Sequence, residues 1–297
     1  MMARDPGDAH LGKAELPEDL RAPQHPDYSD YEQYFQIVRT RSNIVSWTRT
    51  CLRVQGAVLE DLADSDLDEN DRIRLLAGLA LLNRSALAAW TSPADTSSPD
   101  AERAPCADAA LEEERSAALH RWRIGHQLFH LQLGVMITTL DTALDAAGCG
   151  RHRHLAVAMD ELSLLYDAAT ATMSYTAGFP PTAYAREVRP TMEPPFLPEG
   201  FSGVLNREHS TMTTKLRALF QALKQLPQPP KDGADLAAPT ARLREARRRN
   251  QANHMAICQR FVPDGASLLQ SYLNKKDTEK TTNLDQPSGG PAPNTEC

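Results

Sequence analysis

Two residues in the last fifth of the chain have the types and spacing for cofactor chemistry: His254 and Cys258, in the run RRRNQANHMAICQRFVPD. No Pro or Gly interrupts this run before Pro263. The spacing therefore predicts a helix with the imidazole and the thiol on one face, on consecutive turns. An imidazole there can bind a metal from below a flat cofactor while a sulfur one turn away reaches the cofactor's edge. Two packed core side chains have the same i, i+4 signature, so the rest of the chain must decide between these readings.

The other histidines sort by context. His10 and His25 fall in a Pro/Asp/Gly-rich arm, and His152 and His154, in RHRH, read as solvated surface. His126 and His130, in GHQLFHLQL, repeat the i, i+4 spacing. With His254 and a carboxylate such as Glu161 they offer a non-haem iron or zinc set, although the HExxH form is absent. A haem asks for different equipment: a proximal histidine, an apolar slot and distal residues suited to the chemistry. His254 is the proximal candidate. The CxxCH attachment signal is missing, so a covalent tether would have to come from a lone cysteine, and Cys258 is the one placed for it.

The elements that must position these residues read as helices throughout. Helical spacing runs through residues 27–62, 69–90, 111–147, 154–177, 203–226 and 240–262, with a further short helix at 267–274. No stretch alternates strictly enough to be a strand, which makes the fold all-α, with a single helical domain over residues 29–274. Residues 1–28 and 275–297 read as disordered arms, and residues 91–107 as a mobile loop. Residues 178–203 hold six prolines and three glycines, which excludes a continuous helix. A loop of this length that also carries Phe179, Tyr184, Phe196 and Phe201 reads as an ordered, functional one.

Composition removes several function classes. The 297 residues, 41% hydrophobic and 24% charged, have the balance of a soluble globular protein. A net charge of -7 argues against nucleic acid as a partner, and the basic run at residues 242–249 is local. No segment approaches the ~20 apolar residues of a membrane span, and the N-terminus lacks an apolar signal core. The expected location is the cytoplasm. Five scattered cysteines without CxxC spacing suggest neither a disulfide framework nor a zinc ribbon.

Three short segments, in order, resemble the tryptophan 2,3-dioxygenase-like superfamily. GHQLFHLQL is similar to its HQxYEL segment with the distal histidine, GFPPTAYAR to its GFQSxQYR segment, and NHMAICQRF to its proximal-ligand helix. A subset, the haem-dependent L-tyrosine and 3-methyl-L-tyrosine hydroxylases of natural-product biosynthesis, is more similar still. Its haem-binding pattern is a histidine followed at an interval by HxxxC, which His209, His254 and Cys258 reproduce. The chain departs from the dioxygenases in carrying His130 where their glutamate stands and in a shorter glycine-rich substrate loop.

The resemblance implies a helical domain of that type enclosing a haem pocket. His254 would be the proximal iron ligand, with a single thioether from Cys258. His209 would be a second axial ligand in the resting state and His126 the distal base, with the division of labour between these two left open. Arg186 would clamp the substrate's carboxylate, with Arg189 three positions on as the alternative and Tyr184 beside them. The implied activity is monooxygenation of L-tyrosine or 3-methyl-L-tyrosine ortho to the phenol, giving a catechol amino acid of the L-DOPA type in antibiotic biosynthesis. The oxidant would be hydrogen peroxide, or dioxygen with a reductant. The alternatives are a tryptophan or indole dioxygenase and a non-catalytic haem-binding helical protein. A homodimer is among the expected states.

Overall fold

Ser116 opens the longest helix by accepting a hydrogen bond from the Leu119 backbone at 3.2 Å. The structure, a computed structural model, describes residues 28–37, 44–91, 116–199, 201, 206–226 and 235–262. The two expected arms lie almost wholly outside these residues, as do the 91–107 loop and the 267–274 helix. In chain order the helices are α1 (Tyr28–Tyr34), α2 (Ile44–Leu62), α3 (Glu69–Thr91), α4 (Ala117–Gly148), α5 (His152–Thr176), α6 (Pro181–Ala183), α7 (Arg207–Gln225) and α8 (Ala237–Phe261). The described residues form one all-α domain, and none of their helices is long and apolar enough to cross a membrane.

α4 and α5 form the central hairpin. The Cys149 N–H bonds back to Asp145 O at 3.0 Å, and Gly150 takes φ 64, a left-handed conformation that glycine adopts at no steric cost. The two helices then run so close that a Cβ on Gly125 would sit 2.0 Å from Thr176 Oγ1. α4 is buried on several sides because α5, α7, α2 and α3 all pack against it. α7 lies along α4, and α8 along α5.

Side-chain pairs fix the directions of these helices. His130 and Asp141 of α4 meet Glu208 and Lys215 of α7 in the same order, so the two helices run parallel. Asp160 and Asp167 of α5 likewise meet Arg242 and Arg249 of α8 at 2.7 and 2.8 Å. α7 and α8 are therefore antiparallel to each other, with a groove between them.

A buried ion cluster ties this hairpin to α2. Arg121 Nε donates to Asp61 Oδ2 at 2.6 Å and Tyr175 Oη donates to the same oxygen at 2.6 Å, while Arg121 Nη1 donates to Gly178 O at 2.5 Å. Burial alone would disfavour the guanidinium, but the bonds and charge of Asp61 raise its pKa above the ordinary value.

Two expectations need correction. Helical spacing runs on past Tyr34, but Gln36 has φ 53, which ends α1 and separates it from α2. His152 is not solvated: it is 7% exposed at the start of α5, where packing against the core overrides the polar look of RHRH, while His154 is exposed. The proline-rich segment is also more helical than expected. After α6, with Pro180 before it and Pro181 at its first position, come a π-helical turn, Tyr184–Val188, and a 3-10 turn, Arg189–Met192.

Candidate functional site

The outer face of α8 carries His254 and Cys258, both solvent-accessible, with Cys258 Sγ 3.5 Å from His254 Nε2. The inner face holds them in register on α5. Asn253 Nδ2 donates to Thr170 O and to Ser174 Oγ, each at 3.2 Å, and Arg260 donates to Ala177 O. Surrounding protein pushes the Cys258 thiol up from its usual pKa, so it stays protonated at neutral pH.

His209 lies in the first turn of α7, opposite. Asn206 caps that turn, its Oδ1 accepting from the His209 N–H at 2.9 Å. Desolvation lowers the pKa of both imidazoles, and the charge of His254 lowers that of His209 further. The two rings are therefore close enough across the α7–α8 gap for the charge of one to act on the other. Both are neutral at pH 7, the state in which an imidazole offers a lone pair to a metal.

His126 belongs to a neighbouring aromatic cluster. Its ring stacks on Phe35 at 4.0 Å between centroids, with Trp122 at 4.4 Å. Its Nδ1 is 2.7 Å from Trp122 O, an acceptor only, so Nδ1 carries the proton and Nε2 the lone pair. Burial takes its pKa down to about 4. From Trp122 the cluster continues to Tyr184 at 5.8 Å, and Tyr184 stacks on Phe261 at 4.4 Å.

Tyr184 links this cluster to α8. Burial raises its pKa, Arg189 lowers it, and Cys258 raises it again, so its hydroxyl feels both groups. Arg189 is half-buried, with Nε on Glu193 Oε1 at 2.9 Å, whereas Arg186 is exposed and reaches back to Thr182 O at 3.4 Å. The Arg189 charge acts on Tyr184, lowering the pKa of its hydroxyl against the effect of burial.

The non-haem set does not assemble. His130 Nδ1 faces Glu208 Oε2 at 3.5 Å, while Glu161 is paired with Arg84 at 2.6 Å. Among the described residues no group of three or more His, Cys, Asp or Glu side chains is arranged to hold a metal ion. The donor set fits a haem better: two neutral imidazoles from facing helices, a thiol one turn from one of them, and aromatic surface at the same end. A recess of 670 Å³ near Trp47, Val135 and Val157 lies elsewhere, with His154 as its one imidazole and no thiol in its lining.

Sequence reasoning missed the Phe35 and Trp122 rings that enclose His126 and the Asn206 cap that orients α7. Only the cap had a local signal, an Asn immediately before a helical run.

A family model described as SfmD 3-methyl-L-tyrosine peroxygenase matches residues 3–256, a span that includes His126, His209 and His254 and stops short of Cys258. The chain is 26% identical over 244 residues, 81% of its length, to a 3-methyl-L-tyrosine peroxygenase of Streptomyces lavendulae, and it spans 63% of that relative's length. No solved structure matches.

Proposed function

The chain belongs to the SfmD 3-methyl-L-tyrosine peroxygenase family, and from that premise we propose that it is a haem-dependent monooxygenase of the aromatic ring of L-tyrosine or 3-methyl-L-tyrosine. The observation that supports this reading best is that His209 of α7 feels the charge of His254 of α8, with Cys258 Sγ 3.5 Å from His254 Nε2. His254 and His209 would hold the iron, with the division of labour between His209 and His126 open, and Cys258 would attach to the cofactor. When bound, haem supplies the activation of peroxide, or of dioxygen with a reductant, for transfer of one oxygen atom.

The chain's own side chains would bind, orient and move protons. Arg189 is the better-placed partner for the amino acid's carboxylate, because its planar fork matches two oxygens and it lies by the aromatic cluster. Tyr184, Trp122 and Phe261 offer rings against which a phenol packs. Fixing the phenol so that its ortho carbon meets the oxidant is an orientation effect. His126 Nε2 would accept a proton and release it readily, its imidazolium being disfavoured by burial. The product would be a catechol amino acid of the L-DOPA type, serving antibiotic biosynthesis.

The test is direct. Protein produced with haem supplied is expected to show a Soret band. With L-tyrosine or 3-methyl-L-tyrosine and hydrogen peroxide it is expected to give a product heavier by one oxygen atom. Two oxygens in a ring-opened product would replace this reading with dioxygenation, and a Soret band without turnover would reduce it to haem binding. No Soret band at all would sink it.

A further inference from the structure

The stripe of α8 that carries His254 and Cys258 also carries Arg244, Arg247 and Gln251, at successive three- and four-residue steps toward its N-terminus. The stripe meets α7 near both ends, at Arg244 beside Phe220 and at His254 near His209. Arg244 lies over the Phe220 ring of α7 at 5.6 Å, eleven positions beyond His209 on the antiparallel helix. At the Phe220 end the surface opens into a recess of 480 Å³ lined by Phe220, Ala241, Arg244, Arg247, Arg248 and Gln251.

The arginines of α8 divide into two sets. Arg242 and Arg249 are paired with Asp160 and Asp167 of α5, and Arg248 with Glu245. Among the described residues Arg244 and Arg247 meet no carboxylate. In a chain of net charge -7, two cations facing a recess without an acidic partner are matched to an anionic ligand.

A porphyrin of the haem type has two carboxylates on one edge and its vinyl groups on the opposite edge. Along α8, Arg247 lies seven residues before His254, roughly 10 Å of helix, and Cys258 four residues after it, roughly 6 Å. We infer that the recess at Arg244 and Arg247 binds the two propionates of the haem, which sets the macrocycle's orientation with its vinyl edge toward Cys258. This rests on the haem reading above and deepens it: the cofactor is gripped at its centre by imidazole, at one edge by charge and at the other by sulfur.

The test uses the full-length chain in a Cys258→Ser background, so that binding stays reversible. Ferric protoporphyrin IX and its dimethyl ester, in which both carboxylates are capped, are titrated by Soret absorbance into this protein and into one that also carries Arg244→Gln and Arg247→Gln. Circular dichroism checks that both are folded. The expected result is a loss of about tenfold or more in affinity for the diacid in the arginine variant, with the ester bound alike by both proteins. Diacid affinity that is unchanged, or that falls equally with ester affinity, overturns the propionate assignment while leaving the haem reading intact. Failure of the parent protein to bind either porphyrin overturns the haem reading, and this inference with it.

Discussion

Cys258 Sγ lies 3.5 Å from His254 Nε2, one turn apart on the accessible face of α8. A thiol and an imidazole this close form one paired feature, and under the proposed function they would hold the centre and the edge of a single planar group.

The first prediction separates those two holds. After acid-acetone treatment, the wild-type holoprotein is expected to keep its haem with the polypeptide in a pyridine haemochrome assay, and Cys258→Ser is expected to release all of it. Equal release from both proteins would leave the thiol as a packing neighbour only.

The two arginines of the proline-rich segment differ in exposure and partners. Arg189→Gln is expected to raise KM for the amino acid by about tenfold or more, the cost of a charge-assisted contact. Arg186→Gln is expected to leave KM almost unchanged. Steady-state kinetics showing the reverse order would move the carboxylate clamp to Arg186.

His126 makes stability depend on pH. Its folded pKa is about 4, below the unfolded value of 6.5, so between these values the unfolded chain binds the extra proton. Its contribution is complete above pH 6.5 and is lost as pH falls toward 4, with a slope of up to about 1.4 kcal/mol per pH unit. His209 and His254 act in the same direction. Urea denaturation at pH 7 and pH 5 is expected to show a smaller difference for His126→Phe, which keeps a stacking ring, than for wild type.

The Asp61 cluster is structural. Asp61→Asn leaves the Arg121 guanidinium buried without its charge partner and is expected to cost about 3–5 kcal/mol. Tyr175→Phe removes one bond to that carboxylate and is expected to cost about 1.5–3 kcal/mol. Both are read from urea unfolding at pH 7.

Much of the helical pattern and half of the candidate site are written locally. The i, i+4 spacing alone puts His254 and Cys258 on one face, and α5, α7 and α8 follow apolar periodicity to within four residues of their ends, while α4 begins six residues later than expected, after its Ser116 cap. What could not be read is what depends on neighbours. The run 242–249 looks like a single basic cluster, yet Arg242 and Arg249 pair with α5 while Arg244 and Arg247 line the recess, a division visible only once the helix on each side is known. His126 shows no sign in its own segment of the Phe35 ring ninety-one positions away. His152 misleads for the same reason, since a polar turn conceals a buried ring when the core lies beneath it.

The parallel register of α8 on α5 makes the helix a ruler. Asp160–Arg242, Asp167–Arg249 and the Asn253 bonds fix it at three points, so the intervals from Arg247 to His254 to Cys258 are set by counting residues and not by the conformation of any loop. Substitutions within such a ruler are graded in effect, whereas a change in its length is not. One residue inserted between Arg249 and Asn253 would turn everything beyond it by about 100° relative to what precedes. Either the histidine and thiol or the arginines would then face away from the groove, with every other helix still in place.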